Sequence, residues 1–139
     1  MTLREVEALF HDYAAAFSSG DVDRVCSHWN YPAFFAARAK RAALSEDEFR
    51  KNTAALSDFY RNQGVVSATK AVLRVDEQFT GLAFVRTADK LTDSNGEIVA
   101  EWEHGYLVSE TSEGLRVVAA MPDEELDAWQ RRGTPLGSW

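Results

Sequence analysis

The sequence predicts one α+β domain in which helices come first and an antiparallel sheet follows. Apolar residues recur at helical spacing as far as Gly64, and after Gly64 the hydrophobic period changes to two. The 139 residues are the size of one ordinary domain, and no internal boundary is visible, so we expect a single domain over residues 1–139. A twisted sheet needs cover for its apolar face, and the helices at the front are the available cover.

The first helix is predicted to begin at a capping box. In "TLRE", the Thr2 side chain can accept a hydrogen bond at the N-terminus while Glu5 reaches back to the cap. "SSGD" ends this helix, and Asp21 can cap the next one. The first helix carries one apolar stripe at helical spacing, formed by Leu3, Val6, Phe10, Tyr13, Ala14 and Phe17.

A short second helix and a longer third helix follow. Val22, Val25, Cys26 and Trp29 share a face of the second helix, which must end before Pro32 because the residue preceding a proline avoids helical geometry. A loop is expected after it. The third helix has the clearest start, where "LSEDEF" combines a Ser45–Glu48 capping box with a Leu44–Phe49 staple. Its apolar face continues through Leu56, Phe59 and Tyr60, and Gly64 is placed to stop it.

Four strands and a short helix are predicted after Gly64. In the first strand Thr69, Ala71, Leu73 and Val75 alternate with Lys70 and Arg74, which indicates an apolar and a polar face. "FTGLAFVRTADKL" is the second strand, the Asn95-Gly96 pair suits a hairpin, and "AEWEHGYLVSE" and "LRVVAAM" are the third and fourth strands. Pro122-Asp123 starts a C-terminal helix with acidic residues in its first turn and Arg131-Arg132 in its last.

Composition and charge exclude several classes of partner. The formal net charge is −7 and the largest basic cluster is "RAKR" at Arg38 to Arg41, so no nucleic-acid partner is expected. The apolar runs are too short to span a bilayer and the N-terminus is unlike a secretory signal, so we expect a cytoplasmic protein without a membrane partner. Cys26 is the single cysteine and the three histidines are scattered, so we expect no metal site and no cofactor.

The third strand carries an unusual aromatic face. Trp102, His104, Tyr106 and Val108 fall on one side of "AEWEHGYLVSE". Large rings and a titratable imidazole therefore share a surface that either fills a core or lines a cavity.

The segment from Tyr13, "YAAAFSSGDVDRVCSHW", resembles the opening of the nuclear-transport-factor-two-like superfamily, which includes ketosteroid isomerases and polyketide cyclases. The later order of helix, long strands, Asn-Gly hairpin, aromatic strand and "SEGLRVV" is similar as well. The resemblance implies a cone, in which a curved antiparallel sheet wraps around the N-terminal helices and a pocket.

The resemblance also implies two catalytic candidates. Tyr13 matches the tyrosine that stabilises an enolate oxygen in ketosteroid isomerases, and His104 lies near the position of their strand acid. Their aspartate base has no counterpart, because Asn30 to Leu44 contains no Asp or Glu. Tyr13 would then hold a substrate oxygen and His104 would move the proton. The alternative for both residues is a purely structural role, as a buried tyrosine and a buried histidine with satisfied hydrogen bonds.

Aromatic residues supply the candidate ligand contacts. An aromatic cleft with few polar groups suits a flat, hydrophobic small molecule, although core filling is the alternative. The basic cluster Arg38 to Arg41 either attracts a ligand carboxylate or is simply solvated. The predicted ligand-binding residues are Trp29, Tyr31 and Phe34 beside Phe35 at the mouth of the cone, and Trp102 and Tyr106 on the third strand.

Two functions of different classes remain open. The first is a small-molecule-binding domain that acts as an isomerase, dehydratase or cyclase on a hydrophobic cyclic carbonyl or hydroxyl compound. The second is a non-catalytic ligand-binding or assembly module. The strand segment "GLAFV" is apolar on both faces, which favours a homodimer formed through the outer face of the sheet.

Overall fold

The computed structural model describes residues 1–136 and confirms the α+β class. A curved six-stranded sheet is packed against N-terminal helices and a short C-terminal helix, with the strand order β2-β1-β6-β5-β4-β3. The helices are α1 (Leu3–Ser19), α2 (Val22–Ser27), α3 (Glu46–Asn62) and α4 (Asp123–Arg132). The strands are β1 (Trp29–Ala36), β2 (Arg41–Leu44), β3 (Ser67–Phe79), β4 (Leu82–Thr92), β5 (Ile98–Thr111) and β6 (Gly114–Met121).

Both predicted capping boxes are present. The Thr2 hydroxyl accepts a hydrogen bond from the Glu5 backbone N–H, and the Glu5 carboxylate accepts one in return from the Thr2 backbone N–H. Ser45 and Glu48 make the same reciprocal pair at the start of α3. These bonds satisfy backbone N–H groups that a helix start leaves without intrahelical partners.

The segment from Asn30 to Leu44 is not the loop that we expected. The second helix ends at Ser27, and Trp29 is the first residue of β1 rather than part of the helix. β1 pairs with β2 in antiparallel and with β6 in parallel orientation, so the sheet has six strands instead of four and one parallel neighbour pair. Pro32 lies where the β1–β6 register is irregular, so its missing N–H falls in an interrupted part of that ladder.

In the first half of β3, the side chains that point toward the interior are those that the sequence predicted to face solvent. Lys70 and Val72 are turned toward the interior, whereas Ala71 and Leu73 are exposed. A register irregularity between Val72 and Arg74 then restores the predicted inward direction of the strand further along. The physical reason is charge compensation, because inward-facing Lys70 lies in register opposite an acidic residue of β4.

The inner face of the sheet and the helices that cover it form two hydrophobic clusters. One is built around α1, α2 and the middle of the sheet, and it contains Phe10, Tyr106 and Val117. The other is built around Trp129 of α4 and contains Tyr60 and Leu91. Within residues 1–136 no helix is long and apolar enough to cross a membrane.

Candidate functional site

A cavity of about 260 Å³ lies between the inner face of the sheet and helices α1, α3 and α4. Such a space exceeds the roughly 150 Å³ of an engineered cavity that holds benzene, so it has room for a ligand larger than one ring. Aromatic rings form much of its wall, including those of Tyr13, Phe17, Trp29, Phe35, Phe49 and Phe59. The wall is therefore suited to a flat, hydrophobic molecule.

Four of the predicted site residues line this cavity. Tyr13 of α1, Trp29 of β1, and His104 and Tyr106 of β5 come together there. His104 and Tyr106 share the inner face of β5, as the alternation predicts, and their rings stack with centroids 4.5 Å apart. Residues from three distant parts of the sequence therefore meet at one site.

The other three predicted ligand contacts lie outside the cavity lining. The Tyr31 hydroxyl donates a hydrogen bond to the Cys26 carbonyl oxygen at 2.8 Å. Phe34 is 49% exposed and points away from the interior, since its neighbour Phe35 points inward to the cavity. Trp102 packs in the hydrophobic cluster of Trp129 and does not line the cavity.

Tyr13 presents a neutral hydroxyl to the cavity. Its oxygen accepts a hydrogen bond from the Trp29 indole Nε1 at 3.0 Å. Burial raises the pKa of this phenol well above its ordinary value, so the group stays protonated. Because a hydroxyl can accept and donate at once, the Tyr13 proton is available to an oxygen of a ligand.

His104 is held as a neutral ring with a defined tautomer. The Trp102 indole Nε1 donates a hydrogen bond to His104 Nδ1 at 3.0 Å, so the proton of the neutral ring is on Nε2. Burial, assisted by the nearby Lys70 cation and opposed by Asp89, lowers the pKa of His104 to about 3. This arrangement favours an N–H donor, and the role of proton carrier stays a prediction.

A buried ion pair lies beside these groups and was missed by the sequence analysis. The Lys70 ammonium donates hydrogen bonds to the Asp89 carboxylate and to the Tyr106 hydroxyl, the latter at 2.6 Å. The Thr87 hydroxyl donates to the other oxygen of Asp89 at 2.6 Å. The Lys70 side chain is only 10% exposed and the Asp89 side chain 3% exposed. The pair therefore places a cation at the cavity wall whose charge the Asp89 carboxylate balances.

Glu125 of α4 is the second missed group. Its side chain lines the cavity, and the Tyr60 hydroxyl and the Trp129 indole Nε1 both donate to its Oε2 atom. Burial raises the pKa of Glu125, although the hydrogen bond from Tyr60 and the charge of Lys70 act in the opposite direction. The sequence explains the acids of this first turn as partners of the helix dipole, which gives Glu125 no separate role.

The described part of the chain, residues 1–136, holds no group of three or more His, Cys, Asp or Glu side chains placed to bind a metal ion. Phenol, imidazole, ammonium and carboxyl groups are among the polar groups on the cavity wall.

A curved sheet that encloses an aromatic cavity with helices on its inner face defines the cystatin-like, cone-shaped class of α+β proteins. Residues 4–125 match the family described as NTF2-like protein (DUF6841), and the chain belongs to this family. The superfamily inferred from the sequence is thereby confirmed. No match was found among curated proteins.

Solved structures share this fold at low sequence identity. An NTF2-like protein of unknown function from Shewanella oneidensis has a TM-score of 0.68 at 14% identity, covering 87% of this chain and 98% of its own. A ketosteroid isomerase-like protein from Erwinia carotovora has a TM-score of 0.63 at 22% identity, covering 86% and 92%. A cystatin-like domain of unknown function from Nostoc punctiforme has a TM-score of 0.71 at 14% identity, covering 96% and 84%. At these identities the likeness shows the fold.

Proposed function

We propose that this protein binds a hydrophobic, cyclic small molecule that carries a carbonyl or hydroxyl oxygen. The observation that carries the proposal is the cavity of about 260 Å³, whose wall is largely aromatic and apolar and also presents several polar side chains. Its neutral donors are the Tyr13 hydroxyl and the N–H of His104. Such donors match the lone pairs of a ligand oxygen, and the rings match its apolar body.

The same groups suit proton-transfer chemistry, so the enzyme that we propose is an isomerase, dehydratase or cyclase. In such reactions negative charge develops on the substrate's carbonyl oxygen when a proton leaves the carbon next to the carbonyl group. Neutral hydrogen-bond donors held rigidly in an apolar cavity stabilise such an oxygen. Tyr13 is fixed by its bond from Trp29, so it requires little reorganisation to do so.

A thermal-shift experiment tests the binding. The probes are cyclohexanone, phenol and benzoate, measured with the wild type and with Tyr13→Phe. The matched control is Tyr31→Phe, because the Tyr31 hydroxyl bonds the Cys26 carbonyl and lies outside the cavity. A bound probe raises the melting temperature of the wild type, and the shift grows with the logarithm of the probe concentration relative to its Kd.

We expect Tyr13→Phe to lose most of the ligand-dependent shift and Tyr31→Phe to keep it. If no probe stabilises the wild type, or if the two variants respond equally, the proposed donor role of Tyr13 is wrong.

A second candidate function is assembly as a homodimer through the outer face of the sheet. An apolar row crosses four adjacent strands on this face. Phe34 of β1 pairs with Ala119 of β6, Ala119 pairs with Leu107 of β5, and Leu107 pairs with Phe84 of β4. Phe34 is 49% exposed. A row of this kind on a sheet surface favours contact with a second copy.

Sedimentation velocity tests this assembly. A second copy over the row should give a dimer in the wild type and a monomer in Leu107→Asp. Leu3→Asp places the same charge on α1, where Leu3 is 57% exposed, and should leave the dimer intact. A monomeric wild type at high concentration would remove the assembly proposal.

A further inference from the structure

Two carboxyl groups are buried in residues 1–136, and they have different partners. Asp89 is 3% exposed and Glu125 is 6% exposed. The Asp89 carboxylate is neutralised by the Lys70 ammonium and also accepts from the Thr87 hydroxyl. Asp89 therefore has a charged partner and a hydroxyl partner.

Glu125 has neutral partners instead. Its hydrogen bonds come from the Tyr60 hydroxyl and the Trp129 indole, and both reach the same oxygen, Oε2. A phenol and an indole can donate to a carboxylate oxygen and also, more weakly, to the carbonyl oxygen of a protonated carboxyl group. Glu125 can thus gain or lose a proton at its other oxygen without losing either bond.

The position of Glu125 brings this group to the ligand space. It lies in the first turn of α4 and lines the same cavity as Tyr13. Burial raises the pKa of the Glu125 carboxyl, which makes its anion a stronger base than an exposed glutamate. A base and an oxygen-binding donor are therefore present on the wall of one cavity.

We propose that Glu125 is the residue that carries the proton in this cavity, a role that rests on the proposed binding of a carbonyl compound. The Glu125 carboxylate takes a proton from the carbon next to the carbonyl group, so a C–H bond breaks and an O–H bond forms. The released electron pair forms a carbon–carbon double bond, and the carbonyl π pair moves to oxygen. The resulting enolate oxygen accepts the Tyr13 hydroxyl proton in a hydrogen bond. Return of this proton to another carbon completes isomerisation. Hydrogen exchange at the same carbon results when a proton of the solvent water first replaces the one held by Glu125, so the solvent supplies the new hydrogen and takes up the old one.

Hydrogen exchange into cyclohexanone measures this step directly. The ketone is incubated with the protein in D₂O, and the loss of its α-proton signal is followed by ¹H NMR. Glu125→Gln keeps an oxygen that accepts from Tyr60 and Trp129 but cannot take the proton. The matched control is Glu124→Gln, because Glu124 is the adjacent residue of α4, its side chain is 52% exposed, and its carboxylate bonds the Glu103 backbone N–H.

The wild type is expected to exchange the α-protons faster than buffer. Glu125→Gln is expected to slow the protein-dependent rate by about 100-fold or more, whereas Glu124→Gln should stay within about twofold of the wild type since its carboxylate lies outside the cavity. Glu125→Asp keeps a carboxyl group that is one methylene shorter, and we expect an intermediate rate. This variant separates loss of the proton carrier from loss of folding.

Binding measured on the same samples separates the two proposals. If cyclohexanone stabilises the wild type but exchange does not exceed the buffer rate, Glu125 is not a proton carrier and the binding proposal stands. Exchange that is unchanged in a folded Glu125→Gln variant overturns the inference in the same way. If cyclohexanone stabilises neither the wild type nor Glu125→Gln, and the wild type does not exchange its α-protons faster than buffer, both proposals fail for carbonyl ligands.

Discussion

Replacement of His104 by Asn is expected to reduce the acid sensitivity of the fold. His104 is 7% exposed and its Nδ1 accepts a hydrogen bond from the Trp102 indole at 3.0 Å. Burial is the largest cause of its lowered pKa, with the Lys70 cation adding to the effect. Asn offers Trp102 an acceptor oxygen near the position of Nδ1 but has no group that titrates.

The size of the effect follows from the two pKa values of His104. The pKa is 6.5 in the unfolded reference and about 3 in the folded protein. The stabilisation is therefore complete above pH 6.5 and is lost as the pH falls toward 3, because the unfolded chain takes up a proton that the folded chain excludes. Between pH 7 and pH 5 this lowers the free energy of unfolding by about 2 kcal/mol.

Urea unfolding at pH 7 and at pH 5 measures this contribution. The informative quantity is the fall in free energy of unfolding between the two pH values, compared between wild type and His104→Asn. The absolute stability of the variant is not informative, since the substitution also changes packing. We expect the fall to be smaller in the variant by about 2 kcal/mol. An equal fall in both proteins would show that His104 does not titrate as its burial requires.

Three further substitutions test the groups around the cavity. Lys70→Met leaves the Asp89 carboxylate buried without its cation, and we expect unfolding by urea to show a loss of about 3 kcal/mol or more. Trp129→Ala removes a fully buried ring from the cluster of α4, with an expected loss of about 3–5 kcal/mol in the same assay. Tyr60→Phe removes a hydroxyl that bonds Glu125; because this bond favours the anion, the pKa of Glu125 followed by carbon-13 NMR should rise further.

Local sequence signals predicted the helices of this fold well. The capping boxes at Thr2 and Ser45 fix two helix starts by bonds within four residues, so they are visible without tertiary information. β1 was missed because Pro32 argues against a strand and because outward-facing Phe34 hides the alternation. Its burial nevertheless alternates, with Trp29 and Ala33 turned inward.

The site was predicted only in part, because its charged members depend on partners that are distant in the sequence. Lys70 was placed on the solvent face of its strand, since a lone lysine favours solvent when no anion is near. The anion is Asp89 on the neighbouring strand, and Thr87 and Asp89 are polar residues at inward positions of β4. That break in an apolar face was the available signal. Glu125 gave a weaker one, because an acid in a first helical turn already has an explanation in the helix dipole.

A crystal structure of the protein soaked with phenol tests the proposed ligand binding most directly. The phenol ring should occupy the cavity beneath α1, α3 and α4, with its oxygen within hydrogen-bond distance of the Tyr13 hydroxyl. An interior filled by side chains, or phenol bound elsewhere while that interior stays empty, would contradict the proposal that this protein binds a small hydrophobic ligand in that cavity.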